Sequence, residues 1–291
     1  MSDIRSAPTR VVVRLTVGAA VVLLLGALAP TVAAVGLSPA PSASPSPQPA
    51  QVETKTYPCA GYLLTILNRP DAWNEDPPKD PLPGIAVTAP DGAVVAKWQA
   101  ASILEAGRFG WCRDLIGDGS LVLAYAENSG GAHCCDTWVL VRLKAPETTL
   151  LDANLRESGL TPRQLDKSAA LELVASDYRL AYMGDLPFVV TSPFPRLFAY
   201  RGGRYVDATR SYPALLRTDR KKALKDLAEC AVGSPDGDTG DCQKAVGLRI
   251  VALDLLLKAP TSGISRLPLD LTTRRWLLSM RAEVRRALAT P

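Results

Sequence analysis

Histidine is almost absent from this chain of 291 residues, which contains a single one, His133. Any serine–histidine–aspartate or cysteine–histidine centre would therefore have to use that residue. The sequence also lacks a Gly-x-Ser-x-Gly elbow, a Walker loop and a His-Glu-x-x-His motif, so the common signatures of hydrolases, nucleotide-binding proteins and zinc proteases are missing. The formal net charge of +4 is too small to indicate nucleic-acid binding.

The N-terminal residues 1–35 have the layout of an export signal. Three arginines precede an apolar run from Leu15 to Ala29, and small residues up to Ala34 then form a site where a signal peptidase would cut. An uncleaved anchor is the alternative, because Leu15–Val35 is close to the ~20 residues that a bilayer requires. Both interpretations predict an extracytoplasmic protein that is secreted, periplasmic or membrane-anchored with its folded part outside.

Proline, serine and alanine dominate the next segment, residues 36–56. Such a composition cannot bury a core, so we predict a disordered linker that acts as a stalk. Residues 57–210 are predicted to form the folded β-rich domain, and residues 211–291 an α-helical C-terminal region. The 47% of hydrophobic residues are enough to provide a core for both.

Turn signals between apolar runs predict antiparallel hairpins. Pro90-Asp91-Gly92 separates two such runs, and Gly202-Gly203 separates another two. Strands are also predicted for Leu121–Glu127 and Thr137–Leu143, which flank a Gly-Gly turn. We therefore predict an α+β protein, with a mostly antiparallel β domain that is propeller-like or a sandwich, followed by a three-helix C-terminal extension.

Two weaker signals concern the middle of the chain. Thr161-Pro162 resembles a helix start, and the apolar Phe188–Val190 is predicted to be a strand. The run Leu121–Ala124 precedes the similar run Leu171–Val174 by fifty residues. This weak repeat predicts two similar β units side by side, and a propeller would need the earlier hairpin as a further unit.

Helical periodicity begins after Tyr212 and predicts three helices. Asp270 is a plausible cap for the third of them. This last helix is crowded with arginines, which are usually a solvated helix face but could also contact an anionic envelope polymer or a lipid.

The loop that starts at Asp114 is a candidate calcium site. Counted from Asp114, Asp118 is at the fifth position and Gly119 at the sixth, as in calcium loops. Ile116 and Val122, however, occupy positions that should supply oxygen ligands. The competing interpretation is a tight turn in which the Asp side chains bond to their own backbone. Calcium is the one cofactor that the sequence suggests, and the tight turn is favoured.

Ser129–Cys135 contains His133 and two adjacent cysteines, Cys134 and Cys135. With Cys112 these side chains could bind zinc, and a strained disulfide could have a redox role. Because disulfides are the rule outside the cytoplasm, we favour a structural role in which the cysteines fix the turn.

Six cysteines permit three disulfides. Cys230 and Cys242 flank a short loop between two predicted helices and are the best pair. The remaining four leave two arrangements open: Cys59 with Cys112 and Cys134 with Cys135, or Cys59 and Cys112 each with one of the two neighbours.

Ser129–Cys135, which reads SGGAHCC, resembles a signature of uncharacterised secreted bacterial proteins. The loop from Asp114 to Gly119 is similar to the Asp-Gly loop of FG-GAP/VCBS-type β-propeller repeats, and Ser192–Pro195 and Tyr200–Arg210 resemble downstream parts of the same family. The resemblance covers about residues 111–213. It implies a β fold and export, carries no activity, and favours a bond between the adjacent cysteines.

These observations predict an exported, non-catalytic module that binds a ligand or forms part of the envelope. Its partner would be an envelope or extracellular component and not nucleic acid, with an N-terminal membrane anchor as a possible attachment. The alternative is a secreted hydrolase or metal-dependent enzyme centred on the loops between Asp114 and Cys135.

Overall fold

The computed structural model describes residues 52–69, 83–99, 107–128, 136–232, 239–259 and 261–289, all of which fall in one unit of the chain. In these ranges the chain forms twelve strands followed by three α-helices, so the predicted α+β class is confirmed. The strands are β1 Glu53–Cys59, β2 Tyr62–Asn68, β3 Gly84–Thr88, β4 Val94–Gln99, β5 Gly107–Arg113, β6 Val122–Asn128, β7 Asp136–Arg142, β8 Thr148–Arg156, β9 Leu160–Arg163, β10 Glu172–Asp177, β11 Phe194–Arg201 and β12 Arg204–Asp207. The helices are α1 Pro213–Val232, α2 Thr239–Leu256 and α3 Leu271–Ala289.

The strands form three antiparallel sheets in which each strand pairs with its neighbour in sequence. Sheet I contains β1–β4, sheet II contains β5–β8, and sheet III contains β9–β12. Short connections favour this arrangement, because antiparallel strands can be joined by a tight turn. A propeller blade is also a four-stranded sheet, but a propeller closes with about four to eight blades. The described residues supply three sheets, so the propeller-like arrangement is not confirmed.

Sheet II lies between the other two and is buried on both faces. Val122 and Ala124 of β6 pack into a core shared with sheet III. Leu123 and Tyr125, which point the opposite way, pack into a core shared with sheet I. Side chains alternate between the faces of a strand, so a strand covered on both sides requires an unbroken apolar run. This requirement explains the continuous hydrophobic sequence of β6 and β7.

The helices form their own core and pack against β11. Helix α2 lies between α1 and α3, and four consecutive residues, Ile250–Leu253, are at most 1% exposed. A helix that is apolar on all sides is buried on all sides. The cap of α3 forms as predicted: the Asp270 carboxylate accepts hydrogen bonds from the backbone N–H of Thr273 (2.9 Å) and from its hydroxyl (2.7 Å).

Two local predictions were wrong. Thr161-Pro162 lies in β9, where Pro162 pairs with Leu173 of β10; proline is tolerated there because β9 is an edge strand that needs few N–H donors. Phe188–Val190 is a 3₁₀ turn and not a strand. Phe188 is buried and Val189 is 83% exposed, a division that a three-residue turn allows.

The boundaries near the N-terminus also differ. Strand β1 begins at Glu53 and pairs along its length with β2, so the sheet includes the last four residues of the segment that was predicted to be a disordered linker. Residues 1–51, which contain the predicted signal and most of the linker, lie outside the described residues. None of the helices in the described ranges has both the length and the apolar character needed to cross a membrane.

Candidate functional site

The Asp-Gly loop between β5 and β6 is held by its own aspartates. One carboxylate oxygen of Asp114 accepts the backbone N–H groups of Ile116 (3.0 Å) and Gly117 (2.8 Å), and the other accepts that of Gly119 (2.9 Å). These bonds are the side-chain-to-backbone contacts expected of a tight turn. Both oxygens of Asp114 are therefore engaged with the protein.

Asp118 is similarly engaged. Its carboxylate accepts hydrogen bonds from the backbone N–H (2.9 Å) and hydroxyl of Ser120, and it forms an ion pair with Arg142 at 2.8 Å. The Ser120 bonds, followed by the positive charge of Arg142, lower the pKa of Asp118. Calcium binds about six to eight oxygens, and within the described residues no group of three or more His, Cys, Asp or Glu side chains could hold a metal. This ligand set is poor, so the calcium site remains a prediction that the geometry does not favour.

The Asp-Gly loop packs on the matching loop of sheet III. The backbone N–H of Leu171 donates to the carbonyl of Leu115 at 2.8 Å. Gly117 has a φ of 73°, and a Cβ at this position would lie 2.7 Å from the carbonyl oxygen of Ala169. Because both loops connect the first and second strands of their sheets, the fifty-residue repeat corresponds to two stacked, equivalent loops.

The SGGAHCC turn itself, with His133, Cys134 and Cys135, lies outside the described residues. The two strands that flank this segment pair in register, with Asn128 opposite Asp136, so the two predicted strands are present and antiparallel. At the ends of these two strands the Asp136 carboxylate accepts hydrogen bonds from Arg108 (2.6 Å) and from the Asn128 amide (2.9 Å).

Trp138 connects these strand ends to the residues before β9. The Arg108 guanidinium lies 5.6 Å from the ring centroid of Trp138, and the indole N–H of Trp138 donates to the carbonyl of Ser158 at 2.9 Å.

Glu127 lies on the face of β6 that also carries Leu123 and Tyr125, and its carboxyl group has an unusually high pKa. Burial, and to a lesser extent the negative charge of Asp152 on β8, raises the pKa of Glu127 to about 7. Burial together with the charges of these two acids raises the pKa of the neighbouring Tyr125 as well. A carboxyl group that titrates near neutral pH can donate or accept a proton in catalysis.

Within the described residues, two disulfides connect separate elements of the fold. Cys59 and Cys112 join sheet I to sheet II, with their Cα atoms 6.0 Å apart. Cys230 and Cys242 join α1 to α2 across 5.8 Å. The first bridge belongs to the arrangement in which Cys59 pairs with Cys112; its other pair, Cys134 with Cys135, lies outside the described residues. The second bridge is the pair that the sequence favoured.

A polar groove lies between sheet III and helix α1, with a volume of about 730 Å³. Thr161 is directly opposite Val174, and Ser176 is opposite Pro195, so these side chains share the face of the sheet that forms the floor. Helix α1 forms the wall. The groove residues that can form hydrogen bonds or carry charge are Ser158, Thr161, Arg163, Ser176, Thr218, Asp219, Lys222 and Arg249.

Among its described residues, the groove contains three cationic side chains. Arg249 is held by ion pairs with acids, and Arg163 and Lys222 lie on opposite sides of the groove. The Arg249 side chain is only 8% exposed and pairs with Asp219 at 2.6 Å and with Asp226 at 3.0 Å. Those two acids offset its charge. Arg163, from the sheet, and Lys222, from α1, add two positive charges, so that these three cations and two acids together have a net charge of +1.

The groove is connected to the strands that flank the SGGAHCC segment. Ser158 lies in its lining; its carbonyl binds Trp138 and its hydroxyl accepts the backbone N–H of Ser176 at 2.7 Å. Ser158 thus links Trp138 of β7 to the floor of the groove.

Sequence reasoning identified the loops but missed the groove and Glu127. The groove side chains come from β9, β10, β11, α1, α2 and the turn before β9, and only the folded chain brings them together. Arg249 did carry a signal, since it is a single charge within the apolar run of α2. No protein-family model, no curated protein and no solved structure matches this chain.

Proposed function

We propose that the chain is an exported, non-catalytic module that binds an envelope or extracellular partner in the groove between sheet III and α1. The groove is the main support for this proposal. A concave site lined by a few convergent polar groups is the usual form of a ligand site, and this one combines the exposed Thr161, Ser176 and Thr218 with Arg163 and Lys222.

The chemistry of the lining favours a polar partner that carries anionic groups. Serine and threonine hydroxyls both donate and accept hydrogen bonds, which suits hydroxyl-rich chains. Arg163 and Lys222 would add charge-assisted bonds to carboxylates or phosphates. An envelope polymer has such groups, and the resemblance of residues 111–213 to secreted bacterial proteins supports the same setting.

Export is supported by two independent features. The disulfides Cys59–Cys112 and Cys230–Cys242 are typical of proteins that fold in oxidising compartments. Residues 1–35 have the sequence pattern of a signal peptide or signal anchor.

Co-sedimentation of the exported protein with insoluble cell-wall fragments tests the proposal. The wild-type protein should co-sediment, and Thr161→Trp, which fills the groove, and Lys222→Glu, which reverses its charge, should each weaken binding at least about tenfold. Lys221→Glu changes the neighbouring exposed lysine, which does not line the groove, and should bind as the wild type does. Equal binding by all four proteins would contradict the groove as the binding site.

A secreted hydrolase centred on the loops between Asp114 and Cys135 is the second candidate. Glu127 favours this candidate. Burial raises the pKa of Glu127 to about 7, and the residue is two positions before the SGGAHCC segment. The test is an assay of the exported protein on chromogenic esters, glycosides and phosphodiesters across the neutral pH range. Hydrolysis that disappears in Glu127→Gln would replace the binding proposal with a catalytic one.

A further inference from the structure

Helix α3 presents an exposed stripe along its whole length. Residues spaced by three or four positions share one side of a helix, and six such residues are all exposed. We name them the α3 stripe: Leu271, Arg275, Leu278, Ala282, Arg285 and Ala289. The buried side of the helix, with Leu277, Val284 and Leu288, packs into the helical core.

The stripe combines apolar and cationic side chains. Leu271 is 66% exposed and Leu278 is 51% exposed, although leucines on a helix usually face the core. Arg275 is one turn from each of them, and Arg285 is two turns beyond Leu278, along a helix about 28 Å long. This exposure is not explained by the packing of the fold.

Positive charge dominates the exposed half of α3. The helix has five arginines and one acidic residue, Glu283, which is partly buried and lies outside the stripe. The carboxylate of Asp270, just before the helix, is bound to Thr273 on the buried side. The stripe is therefore complementary to a negatively charged surface.

We infer that the α3 stripe docks onto anionic lipid headgroups at a membrane surface. An interfacial helix inserts its leucines at the boundary of the acyl chains while its arginines contact lipid phosphates. A soluble anionic polymer would use the arginines but gain little from Leu271 and Leu278. A second copy of the helix would bring like charges together, which disfavours self-association. The inference does not depend on the proposed groove, which uses other residues.

Vesicle sedimentation of the full-length chain tests the inference. The probes are vesicles of phosphatidylcholine alone and vesicles of equal parts phosphatidylcholine and phosphatidylglycerol. The measured quantity is the increase in partitioning caused by the anionic lipid. The apolar residues 15–35 and the arginines before them are the same in every variant, so the part due to the stripe is the difference between the wild-type protein and its variants. The wild-type protein should show a clear increase, and added salt should reduce it.

The variants separate the two parts of the stripe. Arg275→Gln with Arg285→Gln should reduce the anionic increment about thirtyfold, since each basic residue near such a surface contributes a factor of about five. Leu278→Ala should reduce partitioning about fivefold through lost apolar burial. Arg217→Gln with Lys221→Gln removes equal charge from the exposed face of α1 and should leave the increment unchanged.

Several outcomes would overturn the inference. Equal partitioning of the wild-type protein to both vesicles would exclude headgroup recognition. An equal loss in the α1 control would show that only total charge matters. Binding to soluble polyphosphate that equals vesicle binding and is insensitive to Leu278→Ala would assign the stripe to an anionic polymer. A dimer in sedimentation analysis that Leu278→Ala dissociates would assign it to a second copy. Circular dichroism of each variant verifies that the fold is retained.

Discussion

Replacement of Glu127 by glutamine should stabilise the protein, and the gain should depend on pH. The folded state raises the pKa of this carboxyl group from 4.5 to about 7. Below about pH 4.5, the pKa of this group in the unfolded chain, the carboxyl group is protonated in both states and does not change the free energy of unfolding. As the pH rises from 4.5 to about 7, the unfolded chain ionises first, so the fold loses stability through this residue.

The size of the effect follows from the difference between the two pKa values. That difference corresponds to about 3 kcal/mol at full effect, and the half-buried position of Glu127 allows solvent screening to reduce it to about 1–2 kcal/mol. Glutamine has the same shape without the charge. Glu127→Gln should therefore raise the free energy of unfolding by about 1–2 kcal/mol at about pH 8, and by little at about pH 5.

Urea unfolding of the disulfide-intact protein, followed by circular dichroism at both pH values, measures this difference. Glu229→Gln is the control, because the Glu229 side chain is 65% exposed on α1; it should change stability by less than about 0.5 kcal/mol at either pH. A stabilisation by Glu127→Gln that is equal at both pH values, or a destabilisation near pH 8, would show that the pKa of Glu127 is not raised in the folded protein.

Three further predictions test the packing of the fold. Gly117→Ala should cost about 2–4 kcal/mol, whereas Gly119→Ala, which has a similar φ but nothing within 4 Å, should cost about 1 kcal/mol, both measured by urea unfolding. Replacement of Cys230 and Cys242 by serine should lower the free energy of unfolding by about 3 kcal/mol, as expected for a loop closed across 12 positions. Arg249→Met should destabilise by about 3–5 kcal/mol in thermal unfolding, because it leaves two carboxylates unpaired. Equal costs for the two glycines, an unchanged unfolding midpoint without the bridge, or a more stable methionine variant would contradict these accounts.

Local signals in the sequence were sufficient for the hairpins and the helices. The turn at Pro90-Asp91-Gly92 forms as predicted: Gly92 donates to the carbonyl of Ala89 (2.9 Å), and the Asp91 carboxylate accepts the N–H of Ala93 (2.9 Å). These contacts span a few residues, so their chemistry can be recognised in the sequence.

The assembly of the sheets could not be predicted in the same way. The apolar run of β6 indicates burial on both faces but does not identify the partners; the structure shows that they are sheets I and III. The groove is equally non-local, since Arg163 and Lys222 are ordinary surface residues in sequence. The pKa of Glu127 could not be predicted from the sequence either, because it depends on burial and on Asp152, which lies two strands away in sheet II.

We propose that the chain is an exported module in which the cysteines near the Asp114–Gly119 loop have a structural role and do not bind a metal. Intact-mass analysis of the exported protein, denatured with and without reductant and also under native conditions, tests it most directly. We expect all six cysteines to be oxidised and no metal to be bound in stoichiometric amount. Free thiols at Cys134 and Cys135 together with bound zinc would contradict it.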